Sequence, residues 1–173
     1  MAHMRPLAAL ACLLLAACGF QLRGTASLPF ETIHVPNATA GIALEIKRSI
    51  QAGTNARVVE DAKSAAAQLQ FSEESRRKEI LSLTSAGRVN EYRLFYRVRF
   101  RVSDGKGGDF LSPVTIQLYR DMTYDDSLVL AKEAEEQLLF RDMQQDMVQQ
   151  ILRRIASAKP VKTSLRVQGP AAS

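Results

Sequence analysis

Arginines at alternating positions are the side chains in this sequence with the clearest chemical potential. Arg93, Arg97, Arg99 and Arg101 recur at even spacing, with Phe95 among them and Arg120 further along. A guanidinium presents a planar fork of donors that suits phosphate or carboxylate oxygens. The row reads three ways. It can meet an anionic lipid head group, or the acidic wall of a partner. It can also be a solvated sheet face, partly neutralised across strands by Glu73, Glu74 or Glu79. Other chemistry is sparse. The histidines are His3 and His34, and the cysteines are Cys12 and Cys18. A Cys/His metal cluster and a disulfide scaffold are therefore excluded. His34 alternates with Ile33 and Val35 and reads as an ordinary strand residue, with no general base or nucleophile around it. Gly105-Lys106-Gly107-Gly108 imitates a phosphate loop, but no helix follows it, so it reads as a hairpin tip. Glu133, Glu135 and Glu136 read as a solvated helix start rather than a metal site. No enzyme, cofactor or metal is expected.

Cys18 is the exception. Arg5 is followed by a short apolar run, Leu7 to Ala17, which is too short for a permanent span and patterned as a secretory signal. Its end, Leu15-Ala16-Ala17-Cys18, resembles a bacterial lipobox, in which the cysteine becomes the first mature residue and carries covalent lipid. Residues 1–17 are thus expected to be a lipoprotein signal, with Met4 an alternative start and residues 1–3 a possible cloning scar. Residues 18–30 would be a lipidated tether. Cys12 leaves with the signal, so no internal disulfide is expected. Gly19 follows the cysteine where Asp commonly marks inner-membrane retention, which directs the expectation to the outer membrane, on the periplasmic side.

The elements that position the arginines can be read from periodicity. Glu31 to Val35 predicts a short strand, ended by Pro36-Asn37. Ile42, Leu44, Ile46 and Ile50 predict an amphipathic helix over Gly41 to Ala52, with Thr39 as a candidate cap. Ala62 to Ala66 is a connection. Gln68 to Leu83 predicts a long strand whose polar middle, Glu73 to Glu79, either runs past the core or bulges. Thr84 to Arg88 is a hairpin turn. In Glu91 to Val102, the side chains of Tyr92, Leu94, Tyr96, Val98, Phe100 and Val102 alternate with the arginine row, which predicts a strand with one buried face. Ser103 to Asp109 is a turn, and Val114 to Tyr119 the last strand. Asp125-Asp126-Ser127 then caps a helix reaching Ala158, with Ala134, Leu138, Phe140, Met143, Met147, Ile151 and Ile155 on its apolar face. The expected fold is α+β: a two-layer sandwich of a four-stranded mixed/antiparallel sheet covered by two helices, in a domain spanning 31–158 with a loose tail at 159–173.

Composition bounds the function. The chain has 173 residues, 46% of them hydrophobic, enough for one cored domain. Its net charge is +5, and loss of Arg5 with the signal lowers it by one. That is modest for a nucleic-acid binder, and an exported chain does not meet nucleic acid.

Several segments together resemble a known family. Cys18-Gly19-Phe20-Gln21-Leu22-Arg23-Gly24 is similar to the mature start of the LPS-assembly lipoprotein LptE family. So are Gly87-Arg88-Val89-Asn90-Glu91-Tyr92 and Arg120-Asp121-Met122-Thr123-Tyr124, the latter followed by Leu130-Ala131-Lys132-Glu133 and Glu136. Asp142-Met143 and Ile151-Leu152-Arg153-Arg154 complete the series. The resemblance implies a small sheet under two helices, seated largely inside an LptD-type outer-membrane β-barrel. Such a protein plugs the barrel, assists its assembly and helps to insert lipopolysaccharide into the outer leaflet. It also implies lipopolysaccharide contacts at Lys132, which matches a basic helix position, and near the hairpin. There Ser85-Ala86 departs from the basic residue of some relatives, and Arg88 is the nearest substitute. The plainer role for Lys132 is a helix-surface pair with Glu136. The competing reading is a free lipid-binding or carrier lipoprotein with no obligate barrel partner, which requires an apolar cavity. A periplasmic hydrolase built on His34 comes third.

Overall fold

The computed structural model describes residues 27–159. The signal, Cys18, most of the tether and residues 160–173 lie outside them. The elements run β1 (Thr32–His34), α1 (Gly41–Gly53), β2 (Arg57–Val59), β3 (Ala67–Leu83), β4 (Val89–Ser103), β5 (Asp109–Thr123) and α2 (Val129–Ala156). The sheet order is β2-β1-β3-β4-β5. The β1–α1–β2 unit is parallel, β1 joins β3 in parallel at Ile33–Ala67 and His34–Gln68, and β3-β4-β5 form an antiparallel meander.

The sheet thus has five strands, not four. β2 is Arg57-Val58-Val59, three residues long. It is too short to show alternation, and its pairing with β1 rather than its own pattern makes it a strand.

Both helices lie on the same side of the sheet. On β4, Leu94, Tyr96, Val98, Phe100 and Val102 are fully buried. Against them α1 packs Ile42, Ala43, Ile46 and Ile50, and α2 packs Phe140, Met143, Met147, Val148, Ile151 and Ile155. Leu28 and Phe30, at the end of the segment read as a tether, are also buried in this core. Each such side chain contributes about 1.5–3 kcal/mol through the apolar area it removes from water.

The apolar face of α2 is shorter than its periodicity implies. Leu138 is 51% exposed, and Ala134 is exposed too. The first turns of α2 instead meet the sheet through polar contacts, Glu136 with Lys78 and Lys132 with Thr123. Nor are the caps those expected. Ala40, not Thr39, is the N-cap of α1, without a side-chain bond. Asp125 accepts from the backbone N–H of Ser127 and so caps the 3-10 turn Asp126–Leu128 rather than α2 itself.

The polar middle of β3 both bulges and leaves the core. Register shifts fall between Phe71 and Glu73 and again between Ile80 and Ser82. An inserted residue reverses which face the following side chains point to. Leu69 therefore faces the helices, but so do Arg76 and Lys78 beyond the first bulge. At Thr84 to Arg88 the turn closes through Thr84 N–H to the Arg88 carbonyl at 2.7 Å, with Gly87 at φ 73°.

Candidate functional site

The face of the sheet opposite the helices carries the arginine row of β4 together with Ser75, Arg77 and Glu79 of β3 and Thr115, Gln117, Tyr119 and Asp121 of β5. Strand pairing places these side chains across from one another, and the arginines differ in what they meet. Arg93 forms a two-pronged bond to Asp121, Nε to Oδ1 at 2.6 Å and Nη2 to Oδ2 at 2.8 Å, and lies over the Tyr119 ring at 4.9 Å. The guanidinium holds the Asp121 carboxyl below its usual range, and the same bond raises Arg93. Arg97 donates from Nε to Gln117 Oε1 at 2.9 Å and reaches Glu73 at 3.9 Å. Arg101 donates from Nε to Gln70 Oε1 at 2.7 Å. The Arg99 guanidinium has no hydrogen-bond or ion-pair partner among the described residues. Arg77 covers Phe95 at 5.6 Å and pairs with Glu79 at 3.2 Å.

Two members of the expected set fall elsewhere. Arg120 sits opposite Leu94 and so faces the helices, where it pairs with Asp146 of α2 and donates to the Tyr119 carbonyl. It is not part of the row. Glu74 also points to the helix side, accepting the Tyr96 hydroxyl at 2.7 Å, and so does not neutralise the row.

Arg88 closes the β3–β4 turn and Lys132 lies in the first turn of α2, each with its own surroundings. Both add to the field that lowers the Asp125 carboxyl, after the larger effect of the bonds from Ser127. Arg88 is exposed. The Lys132 side chain is only 15% accessible, donating to Thr123 Oγ1 at 3.0 Å and pairing with Glu135 at 2.9 Å. Its partner is thus one residue nearer than the Glu136 expected. Glu136 instead takes Lys78 of β3 at 2.6 Å, and the Lys78 ammonium lies over the Tyr92 ring at 5.0 Å. Tyr92 in turn packs edge-on against Tyr124. The sequence reading missed Lys78 because the bulge that turns it inward leaves no mark in residue type. Around this end Ile80, Leu83 and Leu130 are 57%, 57% and 82% exposed.

Among the described residues, no cluster of three metal-ligating side chains occurs, and no helix is long and apolar enough to cross a membrane. His34 Nδ1 lies 3.2 Å from the Val59 carbonyl, within the β1–β2 pair.

The bare face is thus a row of basic and aromatic side chains bordered by Asp121, Glu79 and Gln117, and comparison with known proteins identifies the family. The family model described as LptE: Lipopolysaccharide-assembly matches residues 30–155. The chain belongs to the LptE family. The LPS-assembly lipoprotein LptE of Pectobacterium atrosepticum is 25% identical over 150 residues, covering 84% of this chain and 80% of that protein. The LPS-assembly lipoprotein LptE of Yersinia pestis is 28% identical over 151 residues, 84% of this chain and 72% of its own length. Among solved structures, an uncharacterized lipoprotein B from Nitrosomonas europaea superposes with a TM-score of 0.69 at 41% identity, covering 80% of this chain and 90% of that one. Rare lipoprotein B from Shewanella oneidensis gives 0.61 at 27% identity, over 73% and 92%. Membership of the LptE family makes the chain a lipoprotein of lipopolysaccharide assembly and not an enzyme.

Proposed function

We propose that the protein is anchored through lipid on Cys18 at the periplasmic side of the outer membrane. There it forms a complex with an LptD-type β-barrel, plugs it, assists its assembly, and helps to place lipopolysaccharide in the outer leaflet. The observation that carries this reading, within the LptE family, is the bare face of β3-β4-β5. It is broad, uncovered by either helix, and made of arginines, amides and aromatic rings. A barrel lumen is wet and polar, so such a face can be enclosed there without stranding charge in hydrocarbon. The lipid anchor would add to the affinity by confining both partners to one membrane. In the same reading Arg88 and Lys132 meet lipopolysaccharide toward the hairpin end.

The test is a tagged pull-down from detergent-solubilised outer membrane, read by mass spectrometry. A large β-barrel recovered in near-equal amount supports the reading. A lone lipoprotein, or one carrying lipid alone, overturns the plug and leaves a free lipid-binding lipoprotein.

A further inference from the structure

The arginine row divides into two halves with different chemistry. Arg93 and Arg97 already have partners, Asp121 for one and Gln117 with Glu73 for the other. Arg99 and Arg101 keep most of their donors free. They line a groove of about 420 Å³ together with Gln70, Ser72, Glu73 and Pro113.

The backbone shapes this groove. β3 bulges between Phe71 and Glu73, and the β4–β5 register slips between Phe100 and Val102, opposite Ser112-Pro113. Two irregularities thus flank the same short piece of β4, and bulges re-aim the side chains beside them. The Arg101 guanidinium is held at one edge, because Gln70 Oε1 takes its Nε–H at 2.7 Å, and its terminal nitrogens have no partner among the described residues. Glu73 is the opposing carboxylate and sits across from Arg99 in the pairing. It is turned to Arg97 at 3.9 Å and accepts the Ser75 hydroxyl at 3.3 Å, so it does not close the groove.

We propose that the Arg99–Arg101 groove is a binding site for a phosphate monoester. The two side chains leave the same face of one strand about 7 Å apart. One carboxylate would satisfy a single fork. A tetrahedral dianion offers oxygens to both forks and matches their two charges. The site lies at the end of the sheet opposite the hairpin that carries Arg88. It rests on the proposed reading only in using the same bare face. The phosphate can belong to a lipid head group or be free in solution, and the experiment separates these.

The full chain, purified in an uncharged maltoside detergent, is titrated calorimetrically at low salt with three probes: monomeric short-chain phosphatidic acid, inorganic phosphate and short-chain phosphatidylcholine. Phosphatidic acid is expected to bind at one site, and phosphatidylcholine, a diester without the dianion, much more weakly. R99Q/R101Q should weaken binding by about tenfold or more, and R99K/R101K should recover only part of it, since charge returns without the fork. R153Q/R154Q, which removes equal charge from the end of α2, should bind as the parent does. Tighter binding of phosphatidic acid than of inorganic phosphate assigns the site to a lipid head group, and equal binding assigns it to free phosphate. Three results would overturn the site: no binding by the parent at millimolar probe, parental affinity in R99Q/R101Q, or an equal loss in R153Q/R154Q. Recovery of the barrel with the parent chain is measured separately, so failure here does not count against the complex.

Discussion

The two faces of β4 come from one fifteen-residue strand and differ in almost everything else. Toward the helices, Leu94 to Val102 at alternate positions are closed to water. Away from them, Arg93 to Arg101 at alternate positions are half-buried or exposed, and all but Arg99 are joined to neighbours by side-chain hydrogen bonds or ring contacts. One face holds the fold together, and the other is the one proposed to meet a partner. If that division is right, substitutions on the two faces should separate stability from association. A single change that damages both would break it.

The largest effect belongs to the covered face. Phe100 is fully buried in the core that both helices share. Phe100→Ala removes a ring and leaves a cavity, which should cost about 3–5 kcal/mol. Urea unfolding followed by circular dichroism would measure it. A cost below about 1 kcal/mol would mean that the sheet is not the platform of the fold.

On the bare face, the counterpart is Arg97→Glu combined with Phe95→Ser. The unfolding midpoint should stay close to the parent's, because both side chains border water. Recovery of the barrel in the tagged pull-down should fall severalfold. Unchanged recovery would move the docking surface to another part of the molecule.

How much of this could be read from sequence follows the same division. The β4 alternation identified both faces correctly, because period two is conspicuous when an arginine row interleaves with an apolar one. It could not say that Arg120 belongs to the other face. That depends on Leu94 of β4 being its cross-strand neighbour, a fact of pairing. The bulge at Ser72 is similar: it turns Arg76 and Lys78 toward α2, where Arg76 meets Gln144 and Lys78 meets Glu136. A one-residue insertion carries no distinctive residue type, so the parity after it was unreadable. β2 was missed because three residues show no period. The exposed start of α2 was misread because periodicity describes a helix's own face and not how far its partner extends. The proposed lipid on Cys18 rests on its sequence motif alone, and the hairpin position of Arg88 on its turn chemistry. The pairing of Lys132 with Glu135 rather than Glu136 reflects a rotamer that spacing leaves open.

A subtler test sits at the hairpin end, where both faces meet. Arg88→Asp with Lys132→Asp should weaken lipopolysaccharide binding, more at low salt than at high salt, because exposed charges are screened within about 10 Å at 0.1 M. Equal binding by parent and double variant would remove this end from the site. Lys132 alone should contribute less than Arg88, since its ammonium is already held by Thr123 and Glu135.

The smallest effect separates the faces by pH. Tyr96 belongs to the covered face, where burial and its bond to Glu74 push the phenol well above its ordinary range, so it stays protonated throughout the stable pH range. Asp121 belongs to the bare face, and its carboxyl is held below the usual 3.8 by Arg93. A lowered folded value means that the pair stabilises the protein above the unfolded pKa. That contribution disappears as pH falls through the folded value. Stability should therefore be flat for this pair from neutral pH down to about 5 and decline below about 4. Asp121→Asn should remove that part of the acid slope while leaving the neutral-pH midpoint almost unchanged, because an exposed pair contributes little in water. Unfolding midpoints of the two proteins at pH 3 and pH 7 measure it. A large loss at pH 7 would show that Arg93–Asp121 holds the sheet together, and the bare face would then be structural as well.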